Sequence, residues 1–115
     1  MQIALSQPQV TVVQAQGHLS TENAARLHHQ LMSTLSSSQD ATVLVDMEQV
    51  KSVDSEGLLA LVAALTLSRQ FNCRFSLCSV NPSIYLVFKL TQLDQVFEIF
   101  EDRKAFQAEV CSINL

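Results

Sequence analysis

The sequence is short of glycine and of basic residues, and each shortage excludes a class of function. Only two of the 115 residues are glycine, Gly17 and Gly57, and neither lies in a glycine-rich loop of the kind that binds nucleotide phosphates. Seven lysines and arginines stand against eleven aspartates and glutamates, which gives a net charge of -4 at pH 7. A nucleic-acid interface needs a basic face, so we expect no nucleic-acid partner. Tryptophan is absent and aromatic residues make up only 6%, which predicts an aliphatic core.

The sequence also has no apolar run long enough to cross a bilayer. The longest, over residues 58–67, is broken by Thr66, whereas a membrane helix needs about 20 consecutive apolar residues. The start, MQIALSQPQ, lacks a basic region and a long apolar segment, so we expect no signal peptide and no direct membrane insertion. The three cysteines, Cys73, Cys78 and Cys111, have no zinc-binding spacing. They are typical of reduced, buried residues in a cytoplasmic protein, and no metal or other cofactor is predicted.

What the sequence does have is a regular alternation of strand-like and helix-like segments. Runs rich in β-branched residues predict strands at residues 3–5, 10–15, 42–46, 74–80 and 96–100. Apolar residues at helical spacing predict helices at about 24–35, 54–70, 82–91 and 102–110. The order β-β-α-β-α-β-α-β-α indicates a single α/β domain over residues 1–115, with a sheet of four to five strands and about four helices. The first two strands could pair as a hairpin, so we expect a mixed sheet, and Gly17 is expected to end the second strand.

The most informative stretch is VLVDMEQVKSVDSEGLLALVAAL, residues 43–65. A buried strand and a buried helix are joined here by the acidic, hydroxyl-bearing corner D-S-E-G at residues 54–57. Asp54 is a good N-cap residue, because its carboxylate can accept the free N–H groups of the first helical turn. Ser55 then takes the first helical position, at the positive end of the helix dipole, with its hydroxyl facing outward. Core-facing residues of this helix begin at Leu58.

A serine at a strand-to-helix corner raises the possibility of a serine hydrolase. The nucleophile elbow of such enzymes has small residues on both sides of the serine. Here Asp54 and Glu56 flank Ser55, and their carboxylates would repel a developing oxyanion. A small hydrolase therefore stands only as a distant alternative.

Two other kinds of site find little support in the residues. An aspartyl-phosphate receiver site could use Asp46 at the end of its strand, but it needs an acidic pair for magnesium and a lysine at a later strand end. Ser79-Val80 follows the candidate strand instead. The adjacent residues His28 and His29 point about 100° apart on a helix and do not suit a shared metal. We expect them to be solvent-facing or half-buried helix residues.

Phosphorylation of Ser55 is compatible with the predicted fold. A phosphate adds about -1.5 to -2 charges, which the positive end of a helix tolerates. Together with Asp54 and Glu56 it would form one dense anionic surface, which would repel a partner resting there. From the residues alone, the favoured interpretation is that Ser55 is an ordinary residue of a first helical turn.

Four segments occur in order over nearly the whole chain and together resemble the STAS domain of anti-sigma factor antagonists. They are Gly17-His18-Leu19-Ser20, VLVDM, VDSEGLLAL and SVNPSIYLVFKLTQLDQVFEIFED. The family pattern D-S-[ST]-G-L aligns with D-S-E-G-L at residues 54–58, where every position except Glu56 agrees. The resemblance therefore implies that Ser55 is the phosphoacceptor of a bacterial partner switch in transcription regulation. It also implies two partners: an ATP-dependent serine kinase, often itself the anti-sigma factor, and a metal-dependent serine phosphatase. The chain itself would not be an enzyme.

The resemblance also predicts where partners dock. The docking residues around Ser55 are Asp54, Glu56, Gly57 and Leu58, with flanking loops at Ser20, Thr21 and Asn81. The sequence departs from the family at two of these positions: Glu56 replaces a hydroxyl, and Ser20 replaces an acidic residue. The leading alternative uses the same fold differently, as a cytoplasmic STAS subunit that supports a lipid- or anion-transport complex.

Overall fold

The computed structural model describes residues 10–37 and 41–112, with side chains as far as residue 110. Over these ranges four strands alternate with four helices: β1 (Val10–Leu19), α1 (Thr21–Ser37), β2 (Thr42–Val53), α2 (Ser55–Gln70), β3 (Arg74–Cys78), α3 (Pro82–Leu90), β4 (Glu98–Phe100) and α4 (Arg103–Ser112). A short 3-10 helix, Leu93–Gln95, joins α3 to β4. The strands lie side by side in chain order, each parallel to the next. The predicted α/β fold is confirmed, while the strand expected at residues 3–5, and with it the hairpin, lies outside the described residues.

The two faces of the sheet are covered by different helices. Alternate residues of β2 point to opposite faces, and Val43 and Val45 belong to the main core, which α1, α2 and α3 cover. Leu44 belongs to a second, smaller cluster with Phe100, against which Phe106 of α4 packs. The start of β2 is therefore buried on both faces, which is why residues 43–45 are continuously apolar.

The helices follow the predicted spacings closely. The buried residues of α1 are those of the predicted stripe, Ala24, Leu27, Leu31 and Leu35. His28 and His29 are exposed, as expected. Asn81 caps α3, whose first residue is Pro82, and Asp102 accepts a hydrogen bond from the Ala105 N–H at the start of α4. Within the described ranges, no helix combines the length and the apolar character that a bilayer span requires.

The inner face of α2 differs from the prediction. Its buried residues are Gly57, Ala60, Leu61, Ala64, Leu65 and Ser68. The apolar spacing places Leu58, Leu61, Val62, Leu65 and the stem of Arg69 on the inner side. Leu58 and Val62 are only half-buried, however, and Arg69 is exposed. Small residues form much of the buried face because α2 lies close to its neighbours, as the tight surroundings of Gly57 show.

Two predicted strand ends at the rim of the sheet are wrong. β1 does not stop at Gly17 but continues to Leu19, and Gly17 takes a positive φ of 77° within the strand. The register between β1 and β2 shifts there, so Gly17 marks a bulge rather than an end. β2 likewise continues past Asp46 to Val53, with its polar second half paired only to β1.

The strands on the other side of the sheet are shorter than predicted. β3 ends at Cys78 because Ser79 has a positive φ of 57°, which turns the chain out of the strand. β4 begins only at Glu98, since Val96 has helical backbone angles at the end of the 3-10 helix. The sequence left open whether Phe97 and Ile99 or Val96 and Phe100 point inward. Phe97 and Ile99 face the main core and Phe100 faces the second cluster, whereas Val96 is exposed.

Candidate functional site

The corner between β2 and α2 is held by two hydrogen bonds of Asp54. Its backbone is extended, with φ -97° and ψ -173°, and its carboxylate Oδ1 accepts the N–H of Gly57 at 3.0 Å. Its own N–H donates to the carbonyl of Leu19 at the end of β1, also at 3.0 Å. The predicted N-cap is confirmed, and the corner is anchored to the neighbouring strand as well as to its own helix.

Gly57 brings α2 into close contact with the end of β1. A Cβ atom at this position would lie 2.5 Å from the carbonyl oxygen of Leu19 and 2.9 Å from its Cβ. These distances are too short for any side chain, so only glycine allows the helix to begin here. The need for Gly57 is thus explained by packing within the chain. Its predicted contact with a partner stays a prediction.

Ser55 is the first residue of α2 and is exposed to solvent. Its hydroxyl forms no hydrogen bond with another residue in the described parts of the chain. Glu56 follows it, also exposed, while Leu58 is half-buried against the main core. An enzyme can therefore reach the hydroxyl, and a negative charge added there would stand beside the charges of Asp54 and Glu56.

The predicted loop at Ser20 and Thr21 lies beside this corner, although Thr21 is already the first residue of α1. The loop starts directly after Leu19, whose carbonyl binds Asp54, and the Ser20 carbonyl accepts the N–H of Ala24 at 2.7 Å. Thr21 and Glu56 line the same surface groove, which places the loop and the corner side by side. The structure therefore brings this part of the predicted site together.

Asn81 is used within the fold. Its Oδ1 accepts the N–H of Ile84, and its Nδ2 donates to the carbonyl of Val50 at 3.1 Å and, at 3.4 Å, to that of Lys51. These carbonyls belong to the half of β2 that has no β3 partner. Asn81 therefore ties α3 to β2, and its predicted role in partner binding stays a prediction.

A groove of about 370 Å³ runs between α1 and α2 and begins beside the corner. We call it the α1–α2 groove. It is lined by Thr21, Ala24, Ala25, His28, Glu56, Leu59, Ala60 and Ala63. The sequence prediction did not include its middle part. The sequence signal that could have revealed the groove is the excess of apolar and small residues on the outer side of α2. One of these residues, Leu59, is 60% exposed.

On the face of the sheet that α4 covers, the buried carboxylate of Asp46 is paired with the guanidinium of Arg103, an ion pair that the sequence did not reveal. Asp46 is 2% exposed, and its Oδ2 accepts a hydrogen bond from Arg103 Nε at 2.7 Å. Its Oδ1 accepts the Glu48 N–H at 2.9 Å. Burial, with the nearby Asp46 carboxylate as a smaller cause, raises the pKa of the Cys78 thiol, which suits an inert core residue. Because the carboxylate of Asp46 is buried in an ion pair with Arg103, it does not suit the acceptor of an aspartyl-phosphate receiver site.

His18, which precedes Leu19 at the end of β1, is hydrogen-bonded to a serine other than Ser55. Nδ1 of His18 lies 2.6 Å from the hydroxyl of Ser52, its partner across β1 and β2. Nothing in this contact activates Ser55, since the serine bonded to the ring is a different one. In the described part of the chain, no three His, Cys, Asp or Glu side chains converge as metal ligands would.

Comparison with known proteins identifies the fold at family level. The STAS domain family model matches residues 3–105. A proposed anti-sigma factor antagonist from Thermotoga maritima superimposes with a TM-score of 0.80 at 24% identity, covering 88% of this chain and 86% of the other. The Bacillus cell-fate determinant SpoIIAA in its phosphorylated form gives 0.66 at 14% identity, covering 90% and 93%. A sulfate transporter family protein from Wolinella succinogenes gives 0.75 at 16% identity, covering 88% and 84%. The chain belongs to the STAS domain family.

Proposed function

We propose that residues 1–115 act as one STAS-type domain, a non-catalytic protein-binding module whose interactions are switched by phosphorylation of Ser55. The observation that carries the proposal is the exposed Ser55 hydroxyl at the first position of α2, on a corner fixed by Asp54 and Gly57. The family supports a binding role, and one solved neighbour is described in a phosphorylated form. The partners are a serine kinase that acts as an anti-sigma factor and a serine phosphatase, in the cytoplasm of a bacterium.

The rigid corner explains how a phosphate could change binding without changing the fold. Asp54 already takes up the N–H of Gly57, and the helix end favours further negative charge. A partner with an acidic or apolar surface against Ser55 would be repelled by the added charge. One pair of like charges about 5 Å apart costs about 3 kcal/mol at an effective dielectric constant near 20. This corresponds to about a hundredfold loss of affinity, enough to release the partner.

The switch is tested by comparing Ser55→Ala and Ser55→Asp for binding to the serine kinase. We expect Ser55→Ala to bind the kinase constitutively and Ser55→Asp to lose binding by about a hundredfold, measured by pull-down and calorimetry. Ser83→Asp is the matched control, because Ser83 is another exposed serine in the first turn of a helix, α3. Intact-mass spectrometry of protein from its own cells should find one phosphate, located at Ser55. Equal kinase binding by the two Ser55 variants would contradict the switch.

A second candidate function is that of a stationary STAS subunit in a transport complex. The observation that favours it is the superposition on the sulfate transporter family protein, which is as good as that on several antagonists. In that role, the Ser55 corner would simply contact a neighbouring subunit. A persistent complex with a transport ATPase, unchanged by phosphatase treatment or by Ser55→Asp, would favour this function over the switch.

A further inference from the structure

The α1–α2 groove has the shape and lining of a binding site for a small apolar group. Ala24 and Ala60 are buried where the two helices meet, while Ala25 is exposed and Ala63 is half-buried along the groove. Leu59, 60% exposed, forms an apolar wall. The alanines leave space above the helix contact, so an aliphatic side chain seated there would exclude water from several apolar groups at once.

The lining of the groove carries a negative charge, that of Glu56. Glu56 lines it, and no lysine or arginine does; the remaining polar side chains of the lining are Thr21 and His28. Within the described residues, Glu56 forms no salt bridge. A group entering beside Glu56 would therefore be most favourable if it were cationic.

We propose that this groove receives an aliphatic side chain of the docking partner and that Glu56 pairs with a lysine or arginine next to it. The inference rests on the proposed function, because it takes the occupant to be the protein that docks at Ser55. It assigns a role to Glu56, which stands where the family pattern has a hydroxyl: Glu56 selects partners with a cation beside the anchor.

Phosphorylation of Ser55 should not alter the lining of the groove. Glu56 lines the groove and Ser55 does not, although the two residues are neighbours in the first turn of α2. A phosphate on Ser55 acts on whatever rests against the hydroxyl, while the groove keeps its lining unchanged. Groove binding should therefore persist in Ser55→Asp even though docking of the whole kinase is lost.

Three capped dipeptides test the groove without any knowledge of the kinase. They are acetyl-Leu-Lys-amide, acetyl-Leu-Glu-amide and acetyl-Ser-Lys-amide, each titrated into the isotope-labelled protein and followed by amide chemical shifts. We expect Leu-Lys to bind and to shift residues of the groove, Ala25, His28, Leu59 and Ala63. Leu-Glu lacks the cation and Ser-Lys lacks the aliphatic anchor, so both should bind more weakly.

Two substitutions, each with a control, complete the test. Ala25→Leu fills the groove from an exposed helix position and should abolish the shifts, whereas Ala108→Leu, exposed on α4, should not. Glu56→Gln should weaken Leu-Lys by about two- to fivefold, the worth of an exposed ion pair, and leave Leu-Glu no weaker. Glu101→Gln, an exposed carboxylate outside the groove, should change neither.

The outcomes separate this inference from the switch. Shifts outside the groove, equal affinity for Leu-Lys and Leu-Glu, or full binding by Ala25→Leu would overturn the groove assignment even if Ser55→Asp loses the kinase. Binding in the groove by both the wild-type protein and Ser55→Asp supports it. If the two Ser55 variants also bind the kinase equally, the switch fails while the chemistry of the groove stands.

Discussion

Gly57 sets how closely α2 approaches the end of β1, and its replacement gives a prediction whose sign is informative. A glycine replaced by alanine in an unobstructed helix usually gains about 0.5–1 kcal/mol of stability. Here the new Cβ would lie 2.5 Å from the Leu19 carbonyl oxygen, a backbone atom that cannot rotate away. We expect Gly57→Ala to lose about 1–3 kcal/mol in urea unfolding. A gain in stability would show that the corner has room to move and that the packing argument is wrong.

Asp54 has two separable properties, its hydrogen bond and its charge. Asparagine at this position keeps an oxygen for the Gly57 N–H but carries no charge, whereas alanine removes both. We expect Asp54→Ala to lose about 1 kcal/mol of unfolding free energy and Asp54→Asn to stay close to the wild-type protein. Chemical denaturation measures this difference. If Asn is as destabilising as Ala, the charge at the helix end matters more than the cap, and any change in partner binding by Asn then has to be corrected for stability.

Among the elements, the helices could be predicted well because their signals are local. The leucine stripe of α1, the caps Asp54 and Asn81, and Pro82 at the start of α3 all lie within a few residues of the feature that they define. The extension of β2 to Val53 could not be predicted in this way. Its second half is polar, and it is held by pairing with β1 on one edge and by the Asn81 amide on the other.

The parts of the site that the sequence did not reveal depend on residues far apart in the chain. Arg103, which neutralises the buried Asp46, is 57 residues away from it. The α1–α2 groove needs alanines from two helices to lie opposite one another. The Asp54-Ser55 corner, in contrast, was predictable because a strand, a cap and a helix follow one another directly. The role proposed for Ser55 rests on the family pattern and not on this geometry.

The elements on the second face of the sheet are joined by an ionic network, which gives a pH prediction. Arg74 of β3 donates two hydrogen bonds of 2.7 Å to Glu98 of β4, and Ser76 also bonds Glu98. Arg74 also reaches Glu109 of α4 at 3.5 Å. The hydrogen bonds from Arg74 lower the pKa of the Glu98 carboxyl below its ordinary 4.5, although partial burial opposes this shift.

Because the pKa of Glu98 is lower in the folded state, its contribution to stability is present above about pH 4.5 and is lost as the pH falls through the folded-state pKa. We expect Glu98→Gln to be less stable than the wild-type protein at pH 7 and the difference to shrink steadily below pH 4.5. Urea midpoints measured from pH 7 to pH 3 provide the check, with Glu101→Gln as an exposed control. A constant difference across this range would mean that the ion pair adds no pH-dependent stability.

At the scale of the whole molecule, the two faces of the sheet carry different features. The α1–α2 side carries the exposed corner and the groove, while the α4 side carries the ion pair of Asp46 and the network of Arg74. β2 connects the two sides, since its first half is buried on both faces and its last residue, Val53, directly precedes Asp54. Charge can therefore be added at one rim without touching the contacts that stabilise the opposite face.

This division predicts that the proposed phosphorylation of Ser55 would leave the fold unchanged. Ser55→Asp places an acid in the first turn of α2, where a negative charge stabilises the helix by about 0.3–1 kcal/mol. The repulsion that this acid adds with Asp54 and Glu56 is screened by solvent, because all three side chains are exposed. We expect the unfolding midpoint to match that of the wild-type protein and amide shifts to change only near residues 19–21 and 53–59. Shift changes reaching β3, β4 or α4 would show that the switch works by rearranging the domain, and binding would then have to be explained by two conformations instead of by charge on a fixed surface.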